Sequence, residues 1–367
     1  MTGHLAAREL SRDEELGTIR KTITLPDGTS FESPSRSLSS PMAGASQPIV
    51  NELPRIINAA TIGALEAGTL PLHKEIQSKF IAGAFNLTIF DLRLDKFPTV
   101  KSIRTLAHHL YSASHRVVLL PSVKSGMLKD HPPGGDTNRP GRLSAPKLQQ
   151  YLKMQEQVID EIETLHNSKP IIGTIPLLPP KFSRPILELY FNKGIESFAI
   201  DALNKDILSN EPDFRVILAE ISQRKPLSGV FIYACNLGYP QFEKNSTRAD
   251  DFLSLFAYVD VLGSTFRPRG GPMNRGGTRP EPRAKLFSRQ HYSYQISTYG
   301  EASKTLGVKV TQNVLKNYNQ RVQLIESDGV RQLVGKEPIK PYVSSKTAVD
   351  ELSLSKLVSI ARAVPAR

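Results

Sequence analysis

Apolar positions alternate with a period of two at the start of the regular pattern. Residues 18–34 run Thr-Ile-Arg-Lys-Thr-Ile-Thr-Leu-Pro-Asp-Gly-Thr-Ser-Phe-Glu-Ser-Pro, with Pro26-Asp27-Gly28 between the two alternating halves. Asp-Gly accepts the positive φ of a tight turn, so the stretch predicts a β-hairpin. Residues 1–17 are polar and predict a flexible tail, and 35–48 read as a Ser/Pro/Gly-rich loop. Helices are expected over 49–65 and 73–84, followed by an apolar strand over 87–92 with Asp91 near its end.

From residue 100 the period switches regularly between 3.6 and short apolar runs. Helices are predicted over 100–112, 144–166, 185–193 and 213–224, with Ser144 as N-cap and Pro146 in the first turn of the second. Strands are predicted over 116–121, 170–176, 197–201 and 229–234. The helical spacing of Phe252, Leu253, Leu255 and Phe256 leads into a last strand over 258–262. Strands apolar on both sides that alternate with helices imply a parallel sheet with both faces covered, an α/β fold. About 250 residues of this pattern closes a (β/α)8 TIM-type barrel, and an open doubly wound sheet is the structural alternative. The expected organisation is a barrel over 18–300 carrying the N-terminal hairpin, and C-terminal helices over 301–367, the last marked by Leu352, Leu354, Leu357 and Val358.

Charge narrows the partners. The chain has 47 Lys and Arg against 35 Asp and Glu, a net charge of +12, which favours a polyanion such as nucleic acid over acidic metabolites alone. Between Arg267 and Arg289 seven basic residues face one acid, Glu281, among four glycines and four prolines. That composition predicts a bent loop carrying guanidinium groups, placed just beyond a strand end, where α/β folds bind ligands. Arg267, Arg269, Arg275, Arg279 and Arg283 are its candidate phosphate contacts. No apolar run of 18 residues is present and the N-terminus lacks an apolar signal segment, so a cytoplasmic protein with no membrane partner is expected. The single cysteine, Cys235, excludes an intrachain disulfide and a Cys-rich zinc site, and no Gly-x-Gly-x-x-Gly follows a strand. No metal and no cofactor are expected.

The candidates for chemistry are strand-end carboxylates. Asp91, Asp201 and Asp260 lie in or just after apolar strands, where a carboxylate is costly unless paired, hydrogen-bonded or facing a cleft. Singly, each is more often a structural cap. Three at one mouth point to at least one functional acid, as nucleophile, general base or acceptor for a purine-like base. His108, His109 and His115 read as surface residues and Cys235 as a small buried one. Tyr292 and Tyr294, beside His291, fit base stacking or core packing equally.

The order of features resembles the tRNA-guanine transglycosylases and their relatives that insert 7-deazaguanine bases into DNA. Thr24-Leu-Pro-Asp-Gly28 with Glu32-Ser-Pro34 is similar to the family's opening hairpin. Ile172-Gly-Thr-Ile-Pro176 and Gly194-Ile-Glu-Ser-Phe-Ala-Ile-Asp-Ala-Leu203 resemble its base-pocket segments, and Asn236-Leu-Gly-Tyr-Pro240 with Val259-Asp-Val-Leu-Gly-Ser264 its last strand units. The resemblance covers most of the chain. It implies exchange of a guanine-type base for a 7-deazaguanine through a carboxylate nucleophile that attacks the ribose. It also implies Gly173, Asp201 and Gly238 in the base pocket. By the same alignment the family's nucleophile falls on Gly263, its base-reading glutamine on Pro176 and its glycine pair on Asp201-Ala202, and its zinc site is absent. Asp260 as nucleophile with Asp91 as second acid would restore the chemistry. The alternatives are a nucleic-acid-binding barrel without catalysis, acting as a partner subunit, and an unrelated barrel enzyme acting on a phosphorylated small molecule; a homodimer fits a nucleic-acid enzyme of this size.

Overall fold

The structure, a computed structural model, describes residues 5–39, 50–130, 141–166, 168–238, 245–266 and 283–364. It opens with β1 (Ala6–Arg12), antiparallel to β2 (Ile19–Thr24), which pairs in turn with β3 (Ser30–Ser33). The β2–β3 turn is the expected one: Gly28 takes φ 83° and donates to the Leu25 carbonyl at 2.9 Å. β1 corrects the flexible tail expected at residues 1–17. Its polar sequence hid it, because an edge strand can be held by its backbone ladder while Leu5 and Leu16, just outside it, supply the burial.

β4 (Ser35–Arg36) and β5 (Val50–Ile57) come next. The helix expected over 49–65 is thus a strand followed by the short α1 (Ala59–Glu66). Pro54 has no N–H to give an interior helical turn, and the Asn58 side chain starts the helix beyond it by accepting the Thr61 N–H at 2.8 Å. The chain then alternates as predicted: α2 (Leu72–Gln77), β6 (Phe85–Leu92), α3 (Val100–Ala113), β7 (Val118–Leu119) and β8 (Ser122–Val123), and a small hairpin of β9 (Lys129–Asp130) and β10 (Arg142–Leu143). It continues with α4 (Ala145–Thr164), β11 (Ile171–Pro176), α5 (Pro180–Asn192), β12 (Phe198–Asp201), α6 (Glu211–Arg224) and β13 (Ile232–Cys235). After β14 (Ser246–Arg248), α7 (Asp250–Leu253) and β15 (Val261–Leu262), the hairpin β16 (Arg283–Ser288) and β17 (Ser293–Thr298) precedes α8 (Tyr299–Leu306), α9 (Gln312–Leu333), α10 (Ile339–Ser344) and α11 (Glu351–Arg362).

The fold is mixed α/β around a six-stranded parallel sheet of order β4-β15-β13-β12-β11-β7. A three-stranded parallel sheet, β5-β6-β8, stands beside it. Two features join them. Only Leu120 and Pro121 separate β7 in the first sheet from β8 in the second. At the other side, the Leu38 N–H donates to the Val50 carbonyl at 2.9 Å and the Glu52 N–H to the Leu38 carbonyl at 2.8 Å.

Alternation divides the strand side chains between two cores. Phe90, Leu92, Ile175, Phe198, Ile200 and Leu262 pack under the helices in the larger cluster. Phe85, Leu87, Ile89, Ile172, Phe231, Tyr233 and Val261 form the other on the opposite strand face, and Ile23, Leu25 and Phe31 of the N-terminal hairpin join them.

The antiparallel sheet β14-β17-β16 falls partly within the expected basic loop over 267–289 and shortens it. Its signal was present, since Ala284 and Leu286 are buried and alternate with Arg283 and Lys285, but the flanking charge obscured it. Asn319 of α9 braces the edge of β16, accepting the Phe287 N–H at 2.8 Å and donating to the Lys285 carbonyl at 2.9 Å. That satisfies backbone groups an open edge would leave exposed. Tyr292 and Tyr294 are fully buried here, packed with Phe287, so their role is the core and not base stacking. No helix among the described residues is long and apolar enough to cross a membrane.

Gly173 marks where α5 comes closest to the sheet: a Cβ there would lie 2.6 Å from the Tyr190 ring. Gly173→Ala is expected to destabilise the protein by about 1–3 kcal/mol through overpacking, read as a lower midpoint in urea unfolding, and Tyr190→Leu should recover part of the loss.

Candidate functional site

The C-terminal ends of the parallel strands carry a connected set of polar side chains. Asp91, at the end of β6, is buried and accepts from Arg93 Nε at 2.8 Å. Its ladder neighbour on β8 is Ser122. The Ser122 hydroxyl donates to Asp201 at 2.9 Å, and Asp201, the last residue of β12, also accepts from the Leu203 N–H and from Asn236 Nδ2, each at 3.0 Å. Asn236 follows β13 in the left-handed region, φ 52°, which Asn tolerates better than most residues. Asp91 and Asp201 therefore stand at one edge, with Ser122 on one side of Asp201 and Asn236 on the other.

A third carboxylate completes the set. Glu52, on β5 and fully buried, accepts from the Ser37 hydroxyl at 2.6 Å, the Tyr233 hydroxyl at 2.5 Å and the Ser264 N–H at 2.9 Å. Burial, and next the charge of Glu52, push the Tyr233 phenol well above its ordinary pKa, so it stays a neutral donor. Sequence reading missed Glu52 because residues 49–65 were assigned to a helix. In a strand, its spacing of two from Val50 puts it on the face shared with the inner cluster.

The segment 264–266 ties the three acids together. Beyond the Ser264 contact to Glu52, the Phe266 N–H donates to Asn236 Oδ1 at 3.2 Å and the Phe266 carbonyl accepts from Arg93 at 3.1 Å. Arg36 at the end of β4 donates to the Leu262 carbonyl at 2.6 Å and to Gln323 of α9 at 2.8 Å. On the same helix Gln320 donates to the Ser264 hydroxyl at 2.5 Å. Lys316, one turn before Gln320, has its pKa lowered by burial, opposed by Glu52.

Asp260 is elsewhere. It precedes β15, and its carboxylate accepts from the Ile232 N–H at the start of β13 (2.8 Å), from Ser33 (2.8 Å) and from Lys21 (3.0 Å). Lys21 also donates to the Val230 carbonyl at 2.8 Å. This is the N-terminal edge, under the opening hairpin, and both groups are almost wholly buried. Burial raises the Asp260 pKa and lowers that of Lys21. Expected as a nucleophile beside Asp91, Asp260 is instead at the opposite end of the strands, in an ion pair that fastens the hairpin. A carboxylate there has no route to a substrate at the C-terminal edge.

The glycine positions also divide. Gly173, expected in a base pocket, is turned towards α5 and Tyr190, on the helix side of the sheet. Its position is corrected to a packing one. Gly238 is at the C-terminal edge, but its N–H donates to the Lys205 carbonyl at 2.8 Å and joins two loops. Gly263 is required by its neighbours: a Cβ would lie 2.5 Å from the Tyr233 hydroxyl and 2.7 Å from the Ala234 carbonyl. The space a side chain would take at 263 is filled by the Tyr233 phenol, which Glu52 holds in place.

Arg283 is exposed at the start of β16, whereas Arg267, Arg269, Arg275 and Arg279 lie outside the described residues. Among the described residues no group of three His, Cys, Asp or Glu side chains is placed to hold a metal ion. No protein-family model matches the chain, and a search of curated proteins found no relative.

Two substitutions separate these roles. Asp260→Asn strands a buried ammonium and is expected to cost about 3–5 kcal/mol, with much of the loss recovered in Lys21→Met/Asp260→Leu; unfolding by denaturant reads both. Gly263→Ala is expected to lower stability by about 1–3 kcal/mol, and pairing it with Tyr233→Phe should not restore it, since the backbone carbonyl of Ala234 remains in the way.

Proposed function

We propose that the chain is a nucleic-acid-binding barrel whose ligand face is the C-terminal edge of its strands. We read the six-stranded and three-stranded parallel sheets as one (β/α)8-type ring of order β4-β5-β6-β7/β8-β11-β12-β13-β15. The Leu38 hydrogen bonds, the shared β7–β8 segment and the β15–β4 pairing each supply one join of that ring. In such a barrel the loops after the strands form the ligand face.

The observation that carries the reading is a rim of cations on those loops. Arg93 follows β6, Lys124 and Lys129 follow β8, Arg142 and Lys147 lead into α4, Lys205 follows β12, and Arg283 opens β16 after the Arg-rich stretch that continues from Phe266. Inside the rim, Glu52 and Asp201 are engaged by hydroxyl and amide donors and Asp91 by the Arg93 guanidinium. Such a rim suits phosphates of tRNA or DNA and holds them by charge.

A second reading adds chemistry at the same place: exchange of a guanine-type base for a 7-deazaguanine, a glycosyltransferase reaction. What favours it is the convergence of Asp91 and Asp201 through Ser122, two acids where one attacks the ribose and the other manages protons. What weighs against it is the filled space at Gly263 and the three hydrogen bonds accepted by Asp201. Binding without covalent chemistry, alone or beside a catalytic partner, is the better-supported function.

Binding to tRNA and to duplex DNA is expected to fall steeply with salt, with a log–log slope of about −0.9 for each duplex phosphate neutralised; a flat response would remove the proposal. In the presence of a 7-deazaguanine base, no protein–nucleic-acid band should survive denaturation. A surviving band that disappears in Asp91→Asn or Asp201→Asn would instead establish the transglycosylase reading.

A further inference from the structure

Beside the carboxylate set, the loops after β6 and β8 and the start of α4 enclose a cavity of about 630 Å³. We infer that it is a nucleotide site. Leu94, Phe97 and Met127 give it an apolar wall, and the lysines Lys124, Lys129 and Lys147 line it too. Leu94 and Met127 are buried in the main core and Phe97 packs against it, so the apolar wall is fixed in place. An aromatic ring and ammonium groups lining one cavity match a base joined to a phosphate, because every base offers a π-face and each phosphate oxygen accepts from an ammonium. The volume falls within the usual range for small-molecule sites, roughly 300–1,000 Å³.

Two acids also line the cavity. Asp95 is held by Lys124 at 3.0 Å and is largely in solvent, and Asp130 is an exposed acceptor suited to a ribose hydroxyl or a base N–H. Lys147 stands in the first turn of α4, a helix of 20 residues, whose N-terminal partial charge adds to that of the lysine. The N-cap Ser144 is buried, and its hydroxyl makes no capping bond and has no hydrogen-bond partner among the described residues. The site is next to the acids: the Lys124 N–H donates to the Leu92 carbonyl at 3.2 Å, one residue beyond Asp91.

A nucleotide can reach this cavity free in solution or as one unstacked residue of a strand. The strand source rests on the nucleic-acid reading above, and the free source does not. The test is calorimetric binding of guanosine 5′-monophosphate and of a single-stranded decamer to the full chain and three variants. These are Lys129→Gln/Lys147→Gln, Phe97→Ala, and a control with the same charge loss at the exposed Lys74 and Lys304. Loss of about tenfold in affinity for at least one probe is expected in the double variant, about fivefold or more in Phe97→Ala, and under about twofold in the control. Loss with the mononucleotide identifies a free nucleotide as ligand, and loss with the decamer alone identifies a strand residue. If the decamer binds and both cavity variants bind it unchanged, with no mononucleotide binding, the cavity inference is overturned while nucleic-acid binding stands. If neither probe binds, the cavity inference falls, and the nucleic-acid reading stands or falls by tRNA and duplex DNA binding.

Discussion

The buried carboxylate of Glu52 holds the C-terminal edge together. It draws a hydroxyl from Ser37 after β4, a phenol from Tyr233 on β13 and a backbone N–H from Ser264 after β15. A charged group in that position would cost several kcal/mol if its lone pairs were empty, so each of those three partners is constrained in turn. Gly263 follows from the constraint, because the Tyr233 hydroxyl occupies the volume its side chain would need. The direction of the chain from Ser264 to Phe266, into the Arg-rich stretch, follows as well.

The two ends of the strands solve the problem of buried charge differently. At the N-terminal edge, Asp260 and Lys21 neutralise one another beneath the hairpin, with Ser33 and two backbone groups of the β13 region filling the remaining positions. At the C-terminal edge the acids are satisfied mostly by neutral donors, and the cations, Lys124, Lys129, Arg142 and Lys147 among them, stand outside on the loops.

Much of the parallel sheet was legible in the sequence, since strands such as residues 171–176 and 198–201 are apolar on both sides and alternate with helices of clear 3.6 period. β5 was not: a strand holding Glu52, Pro54 and Arg55 has the composition of a helix or loop, and only its pairing with β6 makes it extended. β1 and β16 escaped for the related reason that edge strands draw their stability from backbone ladders and from neighbours distant in sequence, Asn319 in the case of β16.

The sequence by itself determined the α/β class, the hairpin turn at Asp27-Gly28, the basic character and the presence of acids at strand ends, because these depend on local periodicity, turn chemistry and composition. Which acids share an edge was decided by the tertiary structure alone. Asp91, Asp201 and Asp260 look alike in the chain, each an aspartate at the margin of an apolar run. β15 begins at Val261, three residues after the expected start at 258, which leaves Asp260 before the strand, beside Lys21 from 239 positions away. Strand direction and register, which no local pattern encodes, decide which end of the sheet each acid occupies.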